Sequence, residues 1–71
     1  MEFNEKIKKR RKELKLTQKQ VGDSIGLRYQ NYQDLEYGKK KPSFDTLVKL
    51  CICLNVSADY LLGISDIKER T

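Results

Sequence analysis

The side chains that could do chemistry in this chain are amides, amines and phenols, and they concentrate in one stretch. Across residues 18–37 two short helical patterns flank a glycine-bearing break, and the second leaves Tyr29, Gln30, Gln33 and Asp34 facing outward. Basic residues stand on both sides. Lys6, Lys8, Lys9, Arg10, Arg11, Lys12, Lys15 and Lys19 crowd the first two helical patterns, and Lys39, Lys40 and Lys41 follow the break. Two basic clusters bracketing a polar helix suit phosphate binding, as a helix entering the groove of a DNA duplex requires.

The charge distribution sharpens this reading. The 71 residues carry a formal net charge of +5. Residues 1–41 hold 12 Lys or Arg against 6 Asp or Glu, and the remainder holds 3 against 4. Enzymatic chemistry finds no support, because the chain has no histidine, no nucleophile with a base beside it and no phosphate loop. Cys51 and Cys53 lie two apart in a helical pattern and so on different faces, which argues against a mutual disulfide or metal pair. They read as small reduced residues in or near the core. No metal and no cofactor is expected. Asn55, Val56 and Ser57 match a glycosylation sequon without any secretion signal to give it meaning. The longest strongly apolar run, residues 50–54, is far short of the ~20 residues of a membrane span, so no membrane partner and a cytoplasmic location are expected.

The elements that must position the polar stretch follow from caps and periodicity. A first helix is expected over about residues 4–15, with Asn4 as N-cap and Phe3, Ile7 and Leu14 as its inward stripe. Thr17 and Gln20 form a capping box that starts a second helix at Gln18, with Val21 and Ile25 buried. Gly22 beside that edge costs roughly 1 kcal/mol relative to alanine, which close approach of another helix would explain. Gly26 suits a left-handed turn, Leu27 plugs it, and a third helix over about residues 29–37 turns Tyr32 and Leu35 inward. Ser43 caps a fourth helix with Leu47, Leu50, Cys51 and Leu54 as its core stripe. Asn55 ends it, and Ser57 opens a last short helix containing Tyr60, Leu61 and Leu62. The fold class expected is all-α: one compact five-helix domain over residues 1–63, then a tail over residues 64–71 with no clear pattern.

This layout resembles the helix-turn-helix domain of the lambdoid phage repressor and Cro proteins, the XRE-like family. The motif residues are Thr17, Gln18, Gly22, Gly26, Leu27, Tyr32, Leu35, Glu36, Gly38, Pro42 and Ser43, together with the segment NVSADYLLG. The resemblance implies that the third helix lies in the major groove of double-stranded DNA, with Tyr29, Gln30, Gln33 and Asp34 as base readers. Glutamine suits adenine, and aspartate can accept from cytosine. It implies phosphate contacts from Gln18, Asn31, Tyr37, Lys39, Lys40 and Lys41. Arg28 stands where the family usually has a Ser or Thr cap; it cannot accept from the helix amides but can meet a phosphate. The resemblance further pairs Arg11 with Glu36. It implies a transcriptional regulator, most simply a repressor acting as a homodimer on two half-sites. From the sequence itself, Ile52 on the expected outer face of the fourth helix, together with Leu61, Ile64 and Ile67, can either form a small apolar dimer contact or cover the monomer core. The competing reading is a protein-interaction module of antitoxin or adaptor type, whose sign would be an apolar outward face on the third helix.

Overall fold

Local hydrogen-bonding residues set where four of the five described helices begin, the third being the exception. The computed structural model describes residues 1–64 and residue 68, and contains α1 (Phe3–Glu13), α2 (Gln18–Ser24), α3 (Tyr29–Glu36), α4 (Phe44–Leu54) and α5 (Ala58–Leu61). The described residues are all-helical, as expected. Thr17 Oγ1 accepts from the Gln20 amide at 3.0 Å while Gln20 Oε1 accepts from the Thr17 amide at 2.8 Å, so the capping box fixes the start of α2. Ser43 accepts from the Thr46 amide and Ser57 from the Tyr60 amide, which fixes α4 and α5 in the same way.

The first helix departs from the sequence expectation at both ends. Glu2, not Asn4, is its N-cap, and the Glu2 amide donates to the Glu5 carboxylate. Asn4 sits inside α1, and its side-chain amide donates to the Glu36 carbonyl at 3.3 Å, tying α1 to the end of α3. At the other end Lys15 takes the left-handed conformation (φ 59°), and the Leu16 amide bonds back to the Arg11 carbonyl. This reversal leaves Leu14 exposed and swings Leu16 against the core in its place.

Apolar residues from every helix meet in one core. Ile7, Val21, Ile25, Tyr32, Leu35, Leu50, Cys51, Leu54, Val56 and Leu61 are buried together. Val56, to which the sequence assigned no place in the core, is completely buried behind the left-handed Asn55 that ends α4. α2 packs on α3, and α1 lies across α3, α4 and α5. Two glycines make the α2–α3 corner. A Cβ on Gly22 would stand 3.4 Å from both the Leu27 carbonyl oxygen and Tyr32 Cβ, the close approach that the sequence suggested. Gly26 has φ 73° with open space around it, so the backbone and not packing requires glycine there.

A candidate nucleic-acid interface

The outward face of α3 is built from side chains that hold one another. Tyr29, Gln30 and Asn31 are exposed, Gln33 is half-buried and Tyr37 is exposed just beyond the helix. Asp34 departs from the outward position expected of it: the residue is only 8% exposed. Its Oδ1 accepts from Gln30 Nε2 at 3.2 Å, and its Oδ2 lies 3.5 Å from Lys40 Nζ. The helix turns position 34 toward the loop after α3, where the Asp34 carbonyl also accepts from the Lys39 and Lys40 amides. Asp34 is therefore an anchor for its neighbours and not a free acceptor.

Gln18 likewise does more than open α2. Its Nε2 donates to Glu36 Oε1 at 3.1 Å, and its Oε1 accepts from Gln33 Nε2 at 3.2 Å and from the Tyr29 hydroxyl at 3.3 Å. The α2 start thus couples directly to the face of α3. The backbone amides at the start of α3 have no such partner from Arg28, which is exposed and makes no cap bond. A helix N-terminus with open amides beside a guanidinium favours an anion.

Beneath this face lies a buried charged cluster. Arg11 Nε donates to Glu36 Oε2 at 2.6 Å and Arg11 Nη2 to Glu36 Oε1 at 3.1 Å, a two-pronged pair that ties α1 to the end of α3. Arg11 Nη1 also caps the Leu16 carbonyl at 2.9 Å. The Tyr32 hydroxyl donates to Glu36 Oε2, which gives the tyrosine in the core the partner its burial demands. Burial alone pushes the Glu36 carboxyl up, but the bonds from Arg11, Tyr32 and Gln18 outweigh it and hold the group below the ordinary glutamate value. Its bond to Glu36 raises Arg11, and burial followed by the same carboxylate raises the Tyr32 phenol. The sequence reading missed the Tyr32 bond and the anchoring role of Asp34. The i, i+4 spacings of Tyr32 with Glu36 and of Gln30 with Asp34 were the available signals.

Not every basic residue remains available to a phosphate. Lys6 donates to the Tyr60 carbonyl at 2.8 Å and lies over the Tyr60 ring, Arg10 donates to the Leu54 carbonyl at 2.9 Å, and Arg11 is buried. These three hold α1 onto α3, α4 and α5. Lys19 pairs with Asp23 on the surface of α2. Arg28, Lys39, Lys40 and Lys41 are exposed, with Lys40 beside Asp34.

The residues expected at a dimer contact divide. Ile52 and Ile64 are 59% and 72% exposed, whereas Leu61 is 1% exposed and belongs to the core, because α5 turns it toward α1 and α4. Ile67 lies outside the described residues. Phe44, Val48 and Ile52 at i, i+4 and i+8 form an exposed apolar stripe along α4, continued by Leu62 on the far side of a shallow groove. Among the described residues no helix is long and apolar enough to cross a membrane, and no group of residues is arranged to hold a metal ion.

Comparison with known proteins agrees with this architecture. The sequence profile of the helix-turn-helix family matches residues 7–61. The chain is 42% identical over 60 residues to the uncharacterized HTH-type transcriptional regulator YqaE of Bacillus subtilis (strain 168), covering 84% of this chain and 52% of the relative. It is 35% identical over 63 residues to the cryptic phage CTXphi transcriptional repressor RstR of Vibrio cholerae, covering 89% and 56%. The chain spans about half the length of these curated relatives. Among solved structures, the P22 c2 repressor protein in complex with synthetic operator 9T superposes with a TM-score of 0.86 at 31% identity, over 92% of this chain and 98% of that one. The match over residues 7–61 and the likeness to these relatives show that the chain belongs to the helix-turn-helix family.

Proposed function

We propose that this chain is a sequence-specific, double-stranded DNA-binding transcriptional regulator in the cytoplasm, acting as a repressor by covering promoter DNA. The observation that carries the proposal is the polar face of α3, fixed from beneath by the Glu36 cluster and flanked by exposed Arg28, Lys39 and Lys41. The names of RstR and of the P22 c2 repressor support repression as the sense of regulation. In this arrangement α3 lies in the major groove, with Tyr29, Gln30 and Gln33 at base edges. Arg28, Asn31, Tyr37, Lys39, Lys41 and the amides at the start of α2 contact phosphates. Lys40 divides its charge between phosphate and Asp34. A protein-interaction role for α3 is not favoured, since its outward face is polar, and a binding role needs neither metal nor cofactor.

Mutants separate reading from positioning. Gln33→Ala should cost roughly 1–3 kcal/mol at one base position and leave other positions untouched, while Lys41→Ala should weaken all duplexes and reduce the salt slope by about 1. Binding titrations on a panel of single-base operator variants at several salt concentrations measure both. Identical behaviour of the two variants on every sequence would remove α3 from the reading role.

The protein acts as a homodimer in this proposal, because one eight-residue helix offers few base contacts and two half-sites multiply them. The surface best suited is the apolar stripe of Phe44, Val48 and Ile52 with Leu62 and Ile64. Ile52→Asp should leave the fold intact, since the side chain is already exposed, and convert the protein to monomers on operator DNA. Sedimentation in which the unaltered protein stays monomeric at high concentration, with and without operator, would overturn dimerisation.

A further inference from the structure

We infer that the two glutamines of α3 are held in one amide polarity, carbonyl outward, and that Asp34 and Gln18 set this polarity and thereby select bases offering an amino group in the major groove. The inference rests on the DNA-reading role proposed above and specifies its chemistry.

The polarity follows from acceptors that cannot donate. The carboxylate of Asp34 is buried beside Lys40, so the amide of Gln30 must turn its NH2 toward Oδ1, 3.2 Å away, and its own oxygen outward. Gln33 reaches the same state through a relay. Glu36 is buried and accepts from Gln18 Nε2 at 3.1 Å, which fixes the Gln18 oxygen away from the carboxylate. That oxygen then accepts from Gln33 Nε2 at 3.2 Å and from the Tyr29 hydroxyl, so Gln33 also keeps its NH2 inward and its oxygen outward. Reversing Gln18 would set its oxygen against the Glu36 carboxylate and its NH2 against that of Gln33.

Gln30 thus offers the groove one acceptor and one remaining N–H, whereas the second N–H of Gln33 donates to the Tyr37 hydroxyl at 3.5 Å and leaves the groove its carbonyl. Adenine matches both groups of Gln30, its N6 amino group donating to the carbonyl and its N7 accepting from the N–H, and its N6 amino group also suits the carbonyl of Gln33. Cytosine satisfies the carbonyl alone through its N4 amino group. Guanine presents two acceptors, O6 and N7, so one of them must face an amide oxygen unless the amide turns and abandons its anchor. Asp34 and Gln18 are in this sense positioning residues that act through Gln30 and Gln33.

The test uses the full chain and fluorescein-labelled duplexes carrying a sequence selected from a random duplex library. Gln30→Ala and Gln33→Ala first identify the base pair that each glutamine reads. The unaltered protein should favour adenine over guanine at both by about tenfold or more. Replacing the read adenine by purine, which lacks the N6 amino group, should remove most of that preference. Asp34→Asn should then shift the preference toward guanine at the Gln30 base pair alone. Lys40 claims the single oxygen of the new amide, and its NH2 turns Gln30 around. Gln18→Met should bring adenine and guanine toward parity at the Gln33 base pair and leave the Gln30 base pair unchanged. A folded Asp34→Asn protein, judged by circular dichroism, that keeps the original ratio would overturn the inference, as would tolerance of purine by the unaltered protein. The purine duplexes decide the matter even if the variants fail to fold. Equal binding of every duplex by the unaltered protein would overturn the DNA-reading role itself, a different result from selective binding with unchanged ratios.

Discussion

Glu36→Ala should destabilise the domain by about 3–5 kcal/mol, because it strands a buried guanidinium and removes the acceptor for three donors at once. Arg11, Tyr32 and Gln18 all donate to this one carboxylate. Domains of this kind are stable by only about 5–15 kcal/mol in total, and small ones lie toward the lower end, so the variant should be largely unfolded on modest warming. Urea unfolding followed by circular dichroism measures the loss. Much of the cost belongs to the lone arginine, so adding Arg11→Met to Glu36→Ala should recover part of it. A loss below about 1 kcal/mol for the single variant would place Glu36 among weak surface pairs and contradict its assigned role.

The same carboxylate sets an acid limit. Its native pKa lies below the value in the unfolded chain, so the ionised form contributes stability above the ordinary glutamate value of about 4.3. That contribution is lost as pH falls through the lower native value. Melting followed below pH 5 should show a steeper decline for the unaltered protein than for Glu36→Gln, starting from a higher plateau.

Tyr32→Ala should cost about 3–5 kcal/mol, the range for emptying an aromatic site in a packed core. Tyr32 is the largest fully buried side chain and fills the corner where Gly22 lets α2 approach α3. Tyr32→Phe keeps the ring and loses only the hydroxyl bond to a charged acceptor, so about 1.5–3 kcal/mol is expected. Burial, then the neighbouring carboxylate, raises the native phenol pKa, so the associated stability is complete below the unfolded value of about 10 and is lost as pH rises beyond it. Tyr32→Phe should therefore flatten the alkaline limb of the stability profile. Equal losses for the alanine and phenylalanine variants would mean that the hydroxyl, and not the ring, dominates.

The scaffold was legible because its signals are local. Thr17 with Gln20, Ser43 and Ser57 each satisfy helix amides within a single turn, and the structure realises each bond. Where the reading slipped, a competing local bond or a tertiary contact decided. Glu2 and Glu5 started α1 earlier than Asn4, and the left-handed Lys15 exchanged Leu14 for Leu16. Helical periodicity put Asp34 on the outward face but could not foresee that the loop after α3 folds back and covers it. Lys6 and Arg10 read as part of a phosphate-binding cluster because composition counts charge without direction; carbonyls at the ends of α4 and α5 claim them instead. The hydrogen-bond relay from Glu36 through Gln18 to Gln33 joins residues 15 and 18 positions apart, beyond what spacing within one helix reveals.

Sequence-specific binding of double-stranded DNA through α3 is tested most directly by selection of bound sequences from a random duplex library with the full chain. The result expected is enrichment of paired half-sites about one helical turn apart, with adenine dominant at the positions that Gln30→Ala and Gln33→Ala relax. Recovery of no preferred sequence, or of a sequence whose preference both alanine variants leave unchanged, would contradict the account.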